Sequence, residues 1–299
     1  MAFNLATFKT RALTAVIFVI VMVLGVVASQ WSFFILFSII HFGCWMEYQK
    51  LVLLIDKEYA FITPFHKFGV MIAGWSIMLL FARAEYPNAL EETGVWLGLL
   101  AFVGLVIEAI INKRKDRKYL AHSFFGLVYI SLSLALFINL PSLYNGMDFS
   151  RSLYNWNLNR WGLPAFVIAC MWINDTMAYI VGSFIGKTPL SKISPKKTWE
   201  GTVGGILLCA VVAGLLAYNL LVQFHEWGLL ISMVIAAIAA IAGTFGDLLE
   251  SKLKRLAMVK DSGQIMPGHG GFLDRFDSLL LAGPVVWLVV SALNYFMSA

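Results

Sequence analysis

Nine apolar runs, each long enough to cross a bilayer, constrain this chain more than any other feature of its sequence. A helical crossing takes about 20 mostly apolar residues, and backbone polar groups in lipid must be satisfied within the spanning structure. Only 13% of the residues are charged, against about 25% in soluble domains. The sequence therefore predicts an all-α polytopic integral membrane protein. The runs cover about 12–30, 32–54, 67–83, 93–111, 121–140, 163–185, 202–223, 228–246 and 278–297.

The runs follow one another without a soluble insertion, so residues 1–299 are interpreted as a single transmembrane domain. Within it, 12–160 hold the N-terminal helices, and 161–299 hold the helices and loops that carry the polar motifs. The first run follows Lys9 and Arg11, as a signal peptide would. We expect an uncleaved helix instead, because the run is long and a second run follows at once.

The basic residues predict how the chain is oriented. If all nine runs cross the membrane, 19 of the 22 Lys and Arg residues lie on one side, and only Arg83, Arg151 and Arg160 lie on the other. Lys and Arg concentrate in cytoplasmic loops. The N-terminus and both polar motif regions are therefore predicted to be cytoplasmic. The net charge of +5 could suggest a nucleic-acid partner. The one-sided distribution of Lys and Arg argues against one.

Carboxylates are concentrated in the stretch from 246 to 277, GDLLESKLKRLAMVKDSGQIMPGHGGFLDRFD. Asp247 and Glu250 share a helix face if the eighth run continues past them, and Gly243 and Gly246 would allow close packing just before. Asp274 and Asp277 lie at i and i+3 directly before the last run, where they could also bind a divalent cation. Mg²⁺ prefers carboxylate oxygens together with substrate phosphate, so we predict a divalent-cation site that joins Asp247 and Asp274. The alternatives are a solvated, salt-bridged helix face and acids that stabilise a helix N-terminus.

Cations and glycines in the same stretch indicate phosphate binding. The side chains of Lys254, Arg255, Lys260 and Arg275 can hold phosphate oxygens, although each one alone could be a topology anchor. Three glycines within residues 268–271 let backbone N–H groups approach an anion. Carboxylates, cations and this turn together predict a site for a metal-bound polyphosphate.

A second polar motif begins inside the sixth apolar run with Asn174 and Asp175. An intramembrane carboxylate is costly and indicates a functional site, although a polar contact between helices remains the alternative. The run leads to the loop Ser194–Gly201, SPKKTWEG, in which Lys196 and Lys197 are candidates for nucleotide phosphates. Thr198 is a candidate N-cap for the next helix, and Glu200 lies in its first turn. The chain has no Walker A or GxGxxG motif.

These motifs resemble those of the bacterial-type phosphatidate cytidylyltransferases, also called CDP-diacylglycerol synthases. The resemblance is confined to the C-terminal part of the chain and is carried by Ser251, Leu253, Lys254, Arg255, Lys260, Asp261, Pro267, His269, Gly270, Gly271, Asp274, Arg275 and Asp277, with the 194–201 segment and Asn174, Asp175 and Tyr179. Met266 stands where the family usually has another apolar residue. The part of the chain before Trp161 resembles the family only in being apolar helices after a basic N-terminus.

The resemblance implies a transferase that moves a cytidylyl group from CTP to phosphatidate, with Mg²⁺ held at Asp247 and Asp274. It implies a bacterial inner-membrane enzyme whose site faces the cytoplasm, and homodimers are expected in the family. The predicted catalytic residues are Asp247, Asp274, Lys254, Arg255 and His269, where His269 either donates a hydrogen bond or only orders its turn. The predicted substrate-binding residues are Asn174, Asp175, Lys196, Lys197, Lys260, Asp261, Gly270, Gly271, Arg275 and Asp277.

Two other classes of function fit the residues. One is a polytopic CTP-dependent lipid kinase, or a cytidylyltransferase for another lipid phosphate. The other is an ion-coupled transporter with ion sites at Asp175 and Asp247. Transporters often carry paired repeats and place charge near the bilayer midplane, whereas this chain has no internal repeat and its charge lies at the ends of the apolar runs.

Overall fold

The computed structural model describes residues 5–82, 86–111, 117–143, 158–220, 228–264 and 270–298. Within these residues the chain forms ten α-helices, and Pro189 pairs with Thr198 in an isolated β-bridge. A 3₁₀ helix, Lys57–Phe61, follows α2, and a π-helical segment, Leu127–Leu132, joins α5 to α6. The helices are α1 Leu5–Val27, α2 Gln30–Ile55, α3 Pro64–Phe81, α4 Asn88–Ile111, α5 Lys118–Gly126, α6 Ser133–Leu143, α7 Leu158–Ile185, α8 Trp199–Leu220, α9 Gly228–Leu256 and α10 Leu273–Ser298.

Each of the nine apolar runs lies largely within helical structure, with α5, the π-helical segment and α6 together forming the fifth. Seven helical stretches in the described residues are long and apolar enough to cross a membrane. The first two runs are helical but fall outside that set, and Leu13–Val27 is a shorter apolar helix. The all-α, polytopic membrane class is therefore confirmed, while nine crossings remain a prediction.

Short polar signals set the helix ends. Ser29 caps α2 by accepting a hydrogen bond from the Ser32 N–H at 3.0 Å, so α2 begins three residues after α1 ends. Thr198 caps α8 in the same way, with the Gly201 N–H donating to its hydroxyl at 3.1 Å. The cap predicted from the sequence at Thr198 is therefore confirmed. Such caps satisfy amide groups that the first helical turn leaves without a partner.

The first compact unit consists of Met1–Ile138 with Leu253–Phe276. Its core is aromatic: the Phe37 ring lies 4.8 Å from that of Phe33 and 4.9 Å from that of Phe137, and Trp45 stands edge-on to Tyr48. Aromatic pairs at these distances and tilts add to the packing energy of the buried rings.

The second compact unit consists of Asn139–Lys252 with Asp277–Ala299. Helices α7 and α8 pack closely within it, because Gly201 and Gly205 on α8 lie directly against the backbone of α7 at Ala178. Small residues allow such close helix contacts in membranes. The interpretation of the whole chain as one transmembrane domain remains a prediction.

Candidate active site

Three carboxylates converge in the second unit. Asp247 and Glu250 lie one turn apart on α9, and Asp277 lies on α10. One carboxylate oxygen of each lies within 4.8 Å of the other two. Glu250 is 0% exposed and Asp277 is 8% exposed. We call these three residues the carboxylate triplet. Like charges this close in a buried setting repel one another unless a cation or a proton offsets them.

A glycine on α9 makes this convergence possible. A Cβ atom at Gly246 would lie less than 3.0 Å from the carbonyl oxygen of Asp277, so no side chain fits between the two helices there. One turn earlier, Gly243 faces Met171 of α7 and Ser278 of α10. The close packing predicted for both glycines is confirmed, and it brings the backbone of α10 directly against α9 beside the triplet.

Lys197 supplies a positive charge at the triplet. Its ammonium group pairs with the carboxylate of Asp247. The loop that carries it is held by backbone hydrogen bonds from Leu190 N–H to Lys197 C=O at 2.7 Å and from Lys197 N–H to Ser194 C=O at 3.1 Å. Lys197 was predicted from the sequence to bind substrate phosphate. In the structure it instead pairs with Asp247, which was predicted to be a metal ligand.

Glu200 holds the other end of the same loop. Its carboxylate accepts hydrogen bonds from the backbone N–H of Lys187 at 3.1 Å and from the hydroxyl of Thr188 at 2.8 Å. The sequence suggested only that Glu200 stabilises the N-terminus of α8. The structure shows that Glu200 also fixes the start of the loop, which keeps Lys197 on a short, ordered segment.

Helix α7 carries the earlier polar pair. Asn174 is buried and Asp175 is exposed. The side-chain oxygen of Asn174 has no hydrogen-bond partner within the described residues, so no hydrogen bond between helices through this atom is seen there. Lys196 is exposed beside Lys197. Substrate binding by Asn174, Asp175 and Lys196 remains a prediction.

In the first unit, four donor groups lie within hydrogen-bond distance of the Asp274 carboxylate. Its Oδ1 accepts a hydrogen bond from the Lys254 ammonium group at 2.7 Å. Its Oδ2 accepts from the N–H of Ser262 at 2.9 Å, the N–H of Gly271 at 2.8 Å and the Ser262 hydroxyl at 2.9 Å. Lys254 was predicted to hold phosphate, and here it holds a carboxylate. Asp247 belongs to the second unit, and its pairing with Asp274 over one cation remains a prediction.

The remaining predicted site residues of this part of the chain lie close in sequence to the residues that bind Asp274. Gly270 has a φ of +80°, a left-handed conformation that favours glycine, so a tight turn precedes α10 as expected. Arg255, Lys260, Asp261 and Arg275 are exposed, and the Arg255 guanidinium donates to the Val259 carbonyl at 3.3 Å. His269 and Pro267 lie outside the described residues. The roles predicted for these residues remain predictions.

Sequence reasoning missed two buried carboxylates. Glu250 was placed on the helix face of Asp247 but not proposed as a ligand, although a carboxylate one helical turn further on is a signal that the sequence contains. Glu47 belongs to none of the motifs singled out from the sequence. The structure buries it at 2% exposure and bonds it to backbone groups of Phe272 and Leu273, which are far from it in the sequence. No local pattern around Glu47 indicates that contact.

Comparison with known proteins decides the family. The model of the cytidylyltransferase family matches residues 9–293. The chain belongs to this family. It is 31% identical over 261 residues to a phosphatidate cytidylyltransferase of Thermotoga maritima, covering 84% of this chain and 91% of that relative. It is 34% identical over 243 residues to one from Staphylococcus saprophyticus, covering 73% and 91%.

A further relative is more similar over a shorter stretch. The chain is 42% identical over 161 residues to a phosphatidate cytidylyltransferase of Bacillus subtilis, covering 52% of this chain and 58% of that relative. The family predicted from the motifs is confirmed. Because the family match spans nearly the whole chain, it also extends over the N-terminal helices, which the motifs did not cover.

Removal of the Lys197 charge should slow this cytidylyltransferase. We expect Lys197→Met to lower kcat roughly 10- to 100-fold, because the triplet loses the cation that pairs with Asp247. Lys192→Met provides the matched control, since Lys192 is an exposed cation of the same loop. The measurement is initial-rate kinetics on purified protein. Equal rates for both variants would show that the ion pair is unimportant for turnover.

Proposed function

We propose that this protein transfers the cytidylyl group of CTP to phosphatidate, giving CDP-diacylglycerol and pyrophosphate for phospholipid synthesis. A phosphate oxygen of the lipid forms the new bond to the α-phosphorus of CTP, and the bond from that phosphorus to the leaving pyrophosphate breaks. The observation that carries the proposal is the carboxylate triplet, with Lys197 on Asp247, inside a chain of the cytidylyltransferase family.

The triplet is suited to a divalent cation. It offers three carboxylate oxygens within 4.8 Å of one another, and hard cations such as Mg²⁺ take oxygen ligands of this kind. Asp247, Glu250 and Asp277 would hold the ion. The prediction from the sequence that Asp274 is a ligand remains a prediction. When bound, Mg²⁺ would neutralise phosphate charge and orient the phosphates.

The protein's own contribution is then positioning and charge. A phosphomonoester, whose second pKa is about 6 in phosphorylated side chains, is largely dianionic near neutral pH and needs no strong base to attack. Lys197, Arg255 and Arg275 would hold phosphate oxygens, with Arg able to bind two at once. Lys254 would do so after exchanging its bond to Asp274 for a substrate phosphate. Fixed cations of this kind stabilise the charge that develops in phosphoryl transfer.

The chemistry belongs at the cytoplasmic ends of the helices, since one substrate is a lipid and the other is soluble. Asp247 lies in the C-terminal half of α9, and Lys197 lies two residues before α8. The bias of Lys and Arg supports a cytoplasmic position for these ends, and a location in the bacterial cytoplasmic membrane is part of the proposal. A homodimer remains a prediction from the family.

A product assay tests the proposal. Purified protein would be incubated with CTP labelled at the α-phosphorus, phosphatidate and Mg²⁺. The proposal predicts label in the lipid, with one pyrophosphate released for each lipid product. Phosphatidate replaced by diacylglycerol is the control substrate. A CTP-dependent lipid kinase would instead release labelled CDP and leave the lipid unlabelled, and that outcome would refute the proposal.

A further inference from the structure

Glu47 is a buried carboxylate of α2 that binds the segment leading into α10. Its Oε1 accepts a hydrogen bond from the Phe272 N–H at 3.0 Å, and its Oε2 accepts one from the Leu273 N–H at 2.9 Å. These two N–H groups lie at the N-terminus of α10, where amide groups lack partners within the helix and an anion is stabilised. One residue of α2 therefore binds two amide groups at the start of α10.

Glu47 also reaches Asp274 through Ser262. The Ser262 hydroxyl lies 2.7 Å from Glu47 Oε2 and 2.9 Å from Asp274 Oδ2. A hydroxyl has one proton to donate, so it serves one carboxylate at a time. Ser262 also donates its N–H to Asp274 at 2.9 Å. A change at Glu47 therefore changes the hydrogen bonding of Ser262 and, through it, the position of Asp274.

The surrounding glycines make room for the Glu47 carboxylate. A Cβ atom at Gly263 or Gly271 would lie less than 3.0 Å from the carboxylate oxygens of Glu47. One turn earlier on α2, a Cβ atom at Gly43 would meet the ring of Phe272 at a similarly forbidden distance. The backbone at Gly263 and at Gly271 thus fits closely around the Glu47 carboxylate.

We propose that Glu47 is a positioning residue for cytidylyl transfer, which holds Ser262, Asp274 and the start of α10 in the arrangement that turnover requires. The inference rests on the proposed function. Glu47 lies outside every motif that the sequence analysis singled out, and it acts through backbone amides and Ser262 rather than by touching substrate. Misplacement of a reacting group by about 1 Å can cost about 100-fold in rate, so a residue of this kind can matter as much as one that touches substrate.

The test compares Glu47→Ala, Glu47→Gln, Ser262→Ala and the double variant of Glu47→Ala with Ser262→Ala. Glu108→Gln is the matched control, because Glu108 is another largely buried carboxylate of the first unit, bonded to His66 at 2.8 Å and to Thr63. Three quantities would be measured on purified protein: kcat with CTP and phosphatidate, the thermal unfolding midpoint, and hydrogen exchange of the backbone amides of residues 270–276.

We expect Glu47→Ala to lower kcat roughly 10- to 100-fold and to accelerate exchange at residues 270–276, while Glu108→Gln changes neither. Glu47→Gln keeps one acceptor oxygen and should fall between wild type and Glu47→Ala. Since both residues act on Asp274, the double variant should be little slower than Glu47→Ala alone.

Three results would overturn the inference. The first is a normal kcat in Glu47→Ala, and the second is a multiplicative loss in the double variant. The third is an equal loss of kcat and of thermal midpoint in Glu47→Ala and Glu108→Gln, which would indicate a structural role only. If Glu47→Ala does not accumulate in the membrane, the same three quantities are compared between Glu47→Gln, Ser262→Ala and Glu108→Gln. A wild-type protein inactive with CTP and phosphatidate would refute the proposed function instead.

Discussion

Asp247→Asn should lower turnover by at least about 1,000-fold while the protein still inserts into the membrane. Asp247 is the member of the carboxylate triplet that also pairs with Lys197. It therefore links the triplet to the loop that carries Lys197. If Asp247 holds Mg²⁺ as proposed, its loss would remove much of the transition-state stabilisation that the metal supplies, and the rate falls exponentially as the barrier rises. The measurement is single-turnover formation of labelled lipid product, which separates chemistry from product release.

The control for Asp247→Asn is Glu108→Gln, which also neutralises a largely buried carboxylate but lies outside the triplet. It should retain activity within about twofold, because Glu108 bonds to Thr63 and His66 and is not among the proposed site residues. Yield in the membrane fraction and the thermal midpoint show whether each variant folds. A folded Asp247→Asn protein with near-normal turnover would remove Asp247 from the metal site.

Gly246→Ala should lower kcat roughly 10- to 100-fold although it adds only a methyl group and removes no functional side chain. The added Cβ would lie less than 3.0 Å from the Asp277 carbonyl oxygen, which is backbone and cannot rotate away. Helices α9 and α10 must therefore separate, and Asp277 moves away from Asp247 and Glu250. The measurement is kcat together with the thermal midpoint, because the strain should also lower stability.

Gly69→Ala is the matched control for this change. Gly69 lies within α3, and a Cβ atom there would be 3.4 Å from the Leu105 side chain, an ordinary van der Waals distance. Alanine is also the better helix former, so this variant should be as active and at least as stable as wild type. If Gly246→Ala behaved like Gly69→Ala, close contact of α9 with α10 would not be what assembles the triplet.

The helical fold was predictable because lipid leaves the backbone few options. Runs of about 20 apolar residues must be helical in a bilayer, and the nine runs are helical in the structure. Local signals were equally informative: Thr198 caps α8, and Gly243 and Gly246 pack closely, as their residue types indicated. The Thr198 cap depends on residues within one turn of each other, and a glycine indicates close helix packing whatever its partner helix is.

The partners of the site residues were less predictable, because they depend on how distant segments pack. The sequence placed Lys197 and Lys254 on phosphate, whereas in the structure they pair with Asp247 and Asp274. A cation that binds phosphate and one that binds a carboxylate have the same local sequence signature. Glu47 shows the limit most clearly, since its partners Phe272 and Leu273 offer backbone groups, which any residue type could supply.

The most direct test of the account is the free Mg²⁺ dependence of pyrophosphate release by wild type and Glu250→Gln, at a fixed concentration of the CTP–Mg²⁺ complex. Glu250 is fully buried within the carboxylate triplet and lies outside the pair first predicted from the sequence. We expect Glu250→Gln to need roughly 10- to 100-fold more free Mg²⁺ for half its maximal rate, while Glu108→Gln matches wild type. Superimposable Mg²⁺ curves for wild type and a folded Glu250→Gln would contradict a metal site at the triplet.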